Sequence, residues 1–122
     1  MSYSNEQWRK AITKLLELTS NNKISWEPTD LYSGDVWSAV ENSYVAKKDD
    51  KAYVVSEVNR KKYVDEEEFY WASEYVFHVY EKNSFRGYLK IATAPDISSV
   101  SSLFDAAQAN HAYTSNALGG LI

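Results

Sequence analysis

The sequence predicts an α+β domain: an N-terminal helix, four consecutive strands folded as an antiparallel meander, and a C-terminal helix, with both helices on one sheet face. Three observations carry this. A capped stripe of apolar residues at helical spacing opens the chain. Runs rich in Val, Tyr and Trp, broken by short polar turns, fill the middle. A second amphipathic stretch follows Ala94-Pro95-Asp96. Consecutive strands with short connections favour antiparallel neighbours over crossovers, and flanking helices then cover one face of the sheet.

The first helix is read over 4–20. Ser4 and Gln7, three apart, fit a capping box in which each side chain satisfies the other's backbone N–H. Trp8, Ile12, Leu15, Leu16 and Thr19 recur every three or four residues, while Arg9, Lys10, Lys14 and Glu17 take the solvent side. Asn21 and Asn22 suit the end, because Asn tolerates a left-handed backbone.

Ile24-Ser25-Trp26 reads as a short extended piece, and 27–34, with Pro28 and Gly34, as a loop. Strands are expected over 36–47, 52–58, 71–82 and 85–92, and the second helix over 97–112, capped by Asp96 or Ser98. Residues 59–68 carry a basic block, Arg60-Lys61-Lys62, beside an acidic one, Asp65-Glu66-Glu67-Glu68. They read as a solvated connection. The third strand places Tyr75, Phe77 and Val79 on one face and Val76, His78 and Tyr80 on the other. Apolar residues on both faces predict that the second face is partly covered or meets a partner. The whole of 1–122 reads as one domain, with 113–122 a frayed tail.

At 122 residues the chain is long enough to hide roughly two-thirds of its unfolded surface in a core. It has no cysteine, which excludes disulfides and thiolate metal sites and fits a reducing compartment. No basic segment leads into an apolar run at the N-terminus, and no apolar stretch approaches the ~20 residues a bilayer span needs, so the expected location is the cytoplasm with no membrane partner. A net charge of −4 opposes nucleic-acid binding, which relies on cations neutralising phosphates.

No catalytic constellation stands out. His78 and His111 lie in different elements, and the acidic run lacks the spaced ligands and glycine of a calcium loop, so no metal and no cofactor are expected. There is no nucleophile elbow, and Gly34, Gly87, Gly119 and Gly120 are too scattered to cradle a phosphate. Glu57 and Glu81 can be nominated as a carboxylate pair only in the sense that any acidic sheet offers one.

Two stretches carry a resemblance. Leu18-Thr19 with Asn22-Lys23-Ile24-Ser25-Trp26 is similar to a helix exit of the form L-T-x-x-x-K-I-x-W, and Lys62-Tyr63-Val64-Asp65-Glu66-Glu67-Glu68-Phe69-Tyr70-Trp71 resembles a Y-x-D-E-D-E-F-Y-W signature. Both occur in this order in a group of small bacterial proteins of similar length to which no activity is assigned. The resemblance implies a fold and a compartment, and no catalytic residues.

Within the signature, Phe69 and Trp71 face one side, and packing them into the core at the strand start is the plain reading. The alternative is an anchor patch with an acidic rim, as protein interfaces have. The leading functional expectation is therefore a non-enzymatic protein-binding module, of immunity or inhibitor type by analogy only. Its candidate partner-binding residues are Asp65, Glu66, Glu67, Glu68, Tyr70, Trp71, His78 and Tyr80. A homodimer closed over an apolar sheet face is the second expectation. The third is an enzyme or small-ligand binder with a pocket between sheet and helices, using Tyr hydroxyls, His78 and a carboxylate such as Glu57 or Glu81.

Overall fold

The chain begins with the capping box its first residues predict. Ser4 Oγ accepts from the Gln7 N–H at 3.1 Å and Gln7 Oε1 accepts from the Ser4 N–H at 2.8 Å. Helix α1 then spans Asn5–Ser20 and ends at Asn21, with Asn22 left-handed at φ 56°. These features, and the elements that follow, belong to a computed structural model that describes residues 1–122.

After α1 come β1 (Glu27–Pro28), β2 (Ser38–Lys48), β3 (Lys51–Tyr63), β4 (Phe69–Asn83), β5 (Gly87–Thr93) and α2 (Ser99–Thr114). The strands form one sheet in the order β1-β2-β3-β4-β5, every neighbouring pair antiparallel. The α+β meander is thus as expected, with a short fifth strand added. Glu27 and Pro28 pair with Val45 and Tyr44 where a loop was expected. Pro28 is tolerated because it lies on the outermost strand, where a missing donor breaks no central ladder.

The larger correction concerns 59–68. Residues 59–63 continue β3, and β4 already begins at Phe69, so only 64–68 turn. The charged residues are compatible with a strand because they are paired across it. Arg60 Nε lies 2.9 Å and Lys62 Nζ 2.6 Å from the carboxylate of Glu74 on β4. Those hydrogen bonds, that from Lys62 foremost, hold the Glu74 carboxyl below the usual range. β5 starts at Gly87, since 84–86 form the turn from β4. Helix α2 starts at Ser99, and Ser98 makes no side-chain capping bond. Residues 113 and 114 belong to α2, and beyond it the chain keeps turning, with Ala117 N–H donating to Ala112 O at 2.9 Å.

One face of the sheet carries the main core. Trp8, Ile12 and Leu15 of α1 and Val100, Leu103, Phe104 and Ala107 of α2 meet Tyr44, Ala46, Val55 and Phe77 of the sheet. Burying each Val, Leu, Ile or Phe among these contributes about 1.5–3 kcal/mol, and each Ala less. Trp26, only 1 % exposed, joins the parts. Its Nε1–H donates to Thr19 Oγ1 at 2.9 Å, and its backbone N–H donates to Asn110 Oδ1 at 2.8 Å. Both bonds satisfy groups that burial would otherwise penalise.

The opposite face is not bare. Val45, Ala52, Val54 and Tyr80 form a second small core, and Leu31 and Tyr32 of the 29–35 segment close over it. Of the two outcomes the strand pattern allowed for the second face, partial cover or a partner, partial cover by the chain's own loop is what the structure has.

Candidate partner-binding site

The β3–β4 hairpin outruns the rest of the sheet. The β2 pairing with β3 begins at Ser38↔Arg60, and the β5 pairing with β4 reaches only to His78↔Thr93, yet β3 and β4 stay paired to Tyr63↔Phe69. Side chains alternate strictly along this ladder, whose register is unbroken. Phe77 on β4 points into the helix-side core, so Phe69, Trp71, Ser73 and Tyr75 share its face, whereas Tyr70 and Ala72 share the face of His78 and Tyr80.

At the hairpin's far end this alternation collects four aromatic rings on the helix side. Trp37 meets Tyr63 at 6.1 Å, Tyr63 meets Phe69 at 6.1 Å and Phe69 meets Trp71 at 6.4 Å between centroids. Such edge-to-face and tilted contacts set the positive ring edge against the negative face. Lys61 on β3 places Nζ 3.9 Å from the Phe69 centroid and 5.3 Å from that of Tyr63. A cation there is attracted by the ring quadrupole, by about 0.5–1 kcal/mol at an exposed site. The helices do not reach these rings. Trp37, Tyr63, Phe69 and Trp71 are 53, 50, 48 and 55 % exposed, so Phe69 and Trp71 are not the core anchors that the plain reading of the sequence expected.

The acidic run rims this cluster. Asp65 organises the turn: its Oδ1 accepts from the N–H groups of Glu67 at 2.8 Å and Glu68 at 2.9 Å, which lowers its pKa. Val64 N–H closes the turn on Glu68 O at 2.9 Å. Asp65, Glu66, Glu67 and Glu68 are all exposed. At the base of the hairpin Asp35 adds another carboxylate, lowered by the Trp37 N–H first and by Ser38 and Arg60 as well.

The candidate residues read from the sequence therefore fall in two places. Asp65, Glu66, Glu67, Glu68 and Trp71 gather around the exposed rings. Tyr70 is exposed beside them but on the opposite face. His78 and Tyr80 lie farther along β4, beneath the 29–35 loop, and are only 4 and 6 % exposed. Tyr32 stacks on the His78 ring at 4.3 Å, and Tyr80 Oη donates to Leu31 O at 3.4 Å. Burial pushes the His78 pKa down to about 4, helped by the Lys90 charge, so its ring is neutral at pH 7. In this structure the ring is packed between the sheet and the 29–35 loop.

Trp37, Tyr63 and Lys61 complete the cluster and were not singled out from the sequence. The available signal was the symmetry of Tyr63 and Phe69 about the acidic turn, which a hairpin reading of 59–68 would have exposed.

The two carboxylates nominated beside His78 do not converge on it. Glu57 and Glu81 sit at odd positions of the unbroken ladder, on the opposite face from His78, and Glu81 is held by Lys51 at 2.8 Å. An open groove of about 760 Å³ runs beside α1, floored by Tyr53, Val79 and Ala92 and flanked by Trp8, Ala11 and Ile91, with Lys10, Lys14, Glu17 and Lys51 among the residues that line it. No group of three or more His, Cys, Asp or Glu side chains is placed to hold a metal ion. No helix is long and apolar enough to cross a membrane.

Comparison of the chain with protein-family models, with curated proteins and with solved structures finds no match.

Proposed function

We propose that this chain is a non-enzymatic protein-binding module that grips its partner with the aromatic surface at the far end of the β3–β4 hairpin. The observation that carries the reading is the row Trp37–Tyr63–Phe69–Trp71, four large rings in mutual contact and each about half open to solvent. Isolated exposed apolar residues are ordinary, whereas a contiguous aromatic patch with a charged rim is the anatomy of a binding surface. Two of the rings are Trp, the residue type most enriched among binding hot spots.

The rim favours a partner with a basic surface. Asp65, Glu66, Glu67 and Glu68 lie exposed in the turn next to Tyr63 and Phe69, and of the neighbouring cations Lys62 and Arg60 are engaged by Glu74 while Lys61 sits over the rings. Complementary charge of this kind speeds encounter and selects the partner, and the net charge of −4 opposes a nucleic acid as that partner. An immunity- or inhibitor-like role against a basic protein follows by analogy, and the cysteine-free composition suits the cytoplasm.

The test is capture from the native host with wild-type protein and with a Trp37→Ala/Trp71→Ala variant in parallel. A basic protein retained by the wild type and lost with the variant supports the reading. Retention of the same proteins by both, or of nothing besides the bait, overturns it.

A second reading, a small-ligand binder, is favoured by the groove beside α1, whose apolar floor and lysine-rich rim suit an anionic amphiphile. Its test is a thermal shift with a fatty acid, compared with a Lys10→Ala/Lys14→Ala variant.

A further inference from the structure

We propose that β4 pairs with β4 of a second copy of the chain, antiparallel about a twofold axis at Ala72, joining two sheets into one. This does not rest on the partner-binding reading: it concerns the open backbone edge of the hairpin, although the side chains of Phe69 and Trp71 border both surfaces.

The edge is defined by two hydrogen bonds. On one side, Val64 N–H donates to Glu68 O, so the even-numbered residues of this segment bond toward β3. On the other, Ala94 N–H donates to Phe77 O, so the odd-numbered residues of β4 bond away from β3. The β5 ladder ends at His78 and the bond from Ala94 is its last rung. The backbone N–H and C=O groups of Phe69, Trp71, Ser73 and Tyr75 thus point outward, and none meets a partner in the chain. Free edges of this kind template further pairing, and solitary sheets blunt them with proline, lysine, bulges or a covering segment. Residues 69–76 contain neither proline nor lysine, and the register there has no bulge. Their one charge, Glu74, is turned toward Lys62 and Arg60 of β3.

The segment is complementary to itself. Only odd residues carry outward groups, so two copies must meet odd against odd. The turn at 64–68 and the residue-94 contact then leave one twofold register that uses the whole edge. That register sets Phe69 against Tyr75, Trp71 against Ser73, Tyr70 against Glu74 and Ala72 against Ala72. Each Trp meets a small residue, the two other aromatics meet each other, and no like charges are opposed. The axis falls at a non-hydrogen-bonded pair, where Cα atoms approach to about 4.5 Å and alanine fits. The acidic turns point away from the axis, and the two aromatic rows become one continuous surface.

The experiment combines mass and cross-linking. Sedimentation or light scattering at micromolar and higher concentration is expected to give twice 14.0 kDa. Ser73→Pro removes an outward donor, is tolerated at an unpaired edge, and is expected to weaken association by roughly tenfold or more with an unchanged circular dichroism spectrum. Because the chain lacks cysteine, Ala72→Cys is expected to oxidise to a covalent dimer, whereas Tyr70→Cys is not. A wild-type mass of one chain throughout, or a dimer in which Tyr70→Cys cross-links and Ala72→Cys does not, overturns the proposal. Loss of partner capture with the Trp37/Trp71 variant leaves these readings unchanged, so the two ideas fail separately.

Discussion

The ring of Tyr32 lies over the imidazole of His78, 4.3 Å away and inclined by 29°, and so fastens the 29–35 loop to the second face of the sheet. His78 Nδ1 is buried there with no hydrogen-bond partner, and the contact therefore requires a neutral ring.

That requirement makes stability depend on pH. The folded pKa of His78 is lowered to about 4 from 6.5, so between those values the unfolded chain binds the proton and the folded chain does not. Stability is expected to fall as pH drops from 6.5 toward 4, with a slope of at most about 1.4 kcal/mol per pH unit, and this contribution is flat below 4. Urea titrations of wild type and His78→Phe across this window check it. The substitution should flatten the profile, and an equal slope in both proteins would assign it to other groups.

Glu74 gives a pH dependence of its own. Its folded pKa lies below 4.5 because Lys62 and Arg60 bond to the ionised form, so its contribution is present above 4.5 and disappears as pH falls through the lowered value. The side chain is a third exposed, so Glu74→Gln is expected to cost only ~0.2–1 kcal/mol at neutral pH, less in high salt. The wild-type minus variant difference should vanish at the acid end, measured by the same titrations.

Asn110 is the sole side chain that satisfies the buried Trp26 N–H. Asn110→Ala is expected to cost about 1–3 kcal/mol, the penalty for an unmade buried bond. Ser4→Ala, which opens the exposed capping box of α1, should cost about 1 kcal/mol. Thermal unfolding of both variants would rank them, and a neutral Asn110→Ala would mean that water replaces the amide.

The exposed rings should behave oppositely. Trp37→Ala and Trp71→Ala remove large side chains that the core does not hold, so each is expected to cost only about 0.5–1.5 kcal/mol, the worth of the ring contact it gives up. A loss comparable with that of a core Leu103→Ala, about 2–5 kcal/mol, would mean that the rings serve packing.

Much of the architecture was legible from local chemistry. The capping box at Ser4 and Gln7, the stripe from Trp8 to Thr19 and the two-faced alternation around His78 each follow from residues a few places apart, and each is realised. What escaped was non-local. Arg60-Lys61-Lys62 looks like a solvated connection because the carboxylate that pairs Arg60 and Lys62 arrives from β4, through a register that composition does not reveal. The aromatic row escaped in the same way, since Trp37, Tyr63 and Phe69 come from three separate stretches and meet only once the ladder is set. Tyr32 gave no sign that it would roof His78, because a loop residue's burial depends on where the loop lands.

The bond from Trp26 to Asn110 spans 84 residues of chain. The helical layer therefore cannot seat fully until α2 has been synthesised, and until then the part of the meander's apolar surface that α2 covers has no lid. Slow, late closure of this sort leaves a vulnerable interval in which a holdase chaperone has something to grasp.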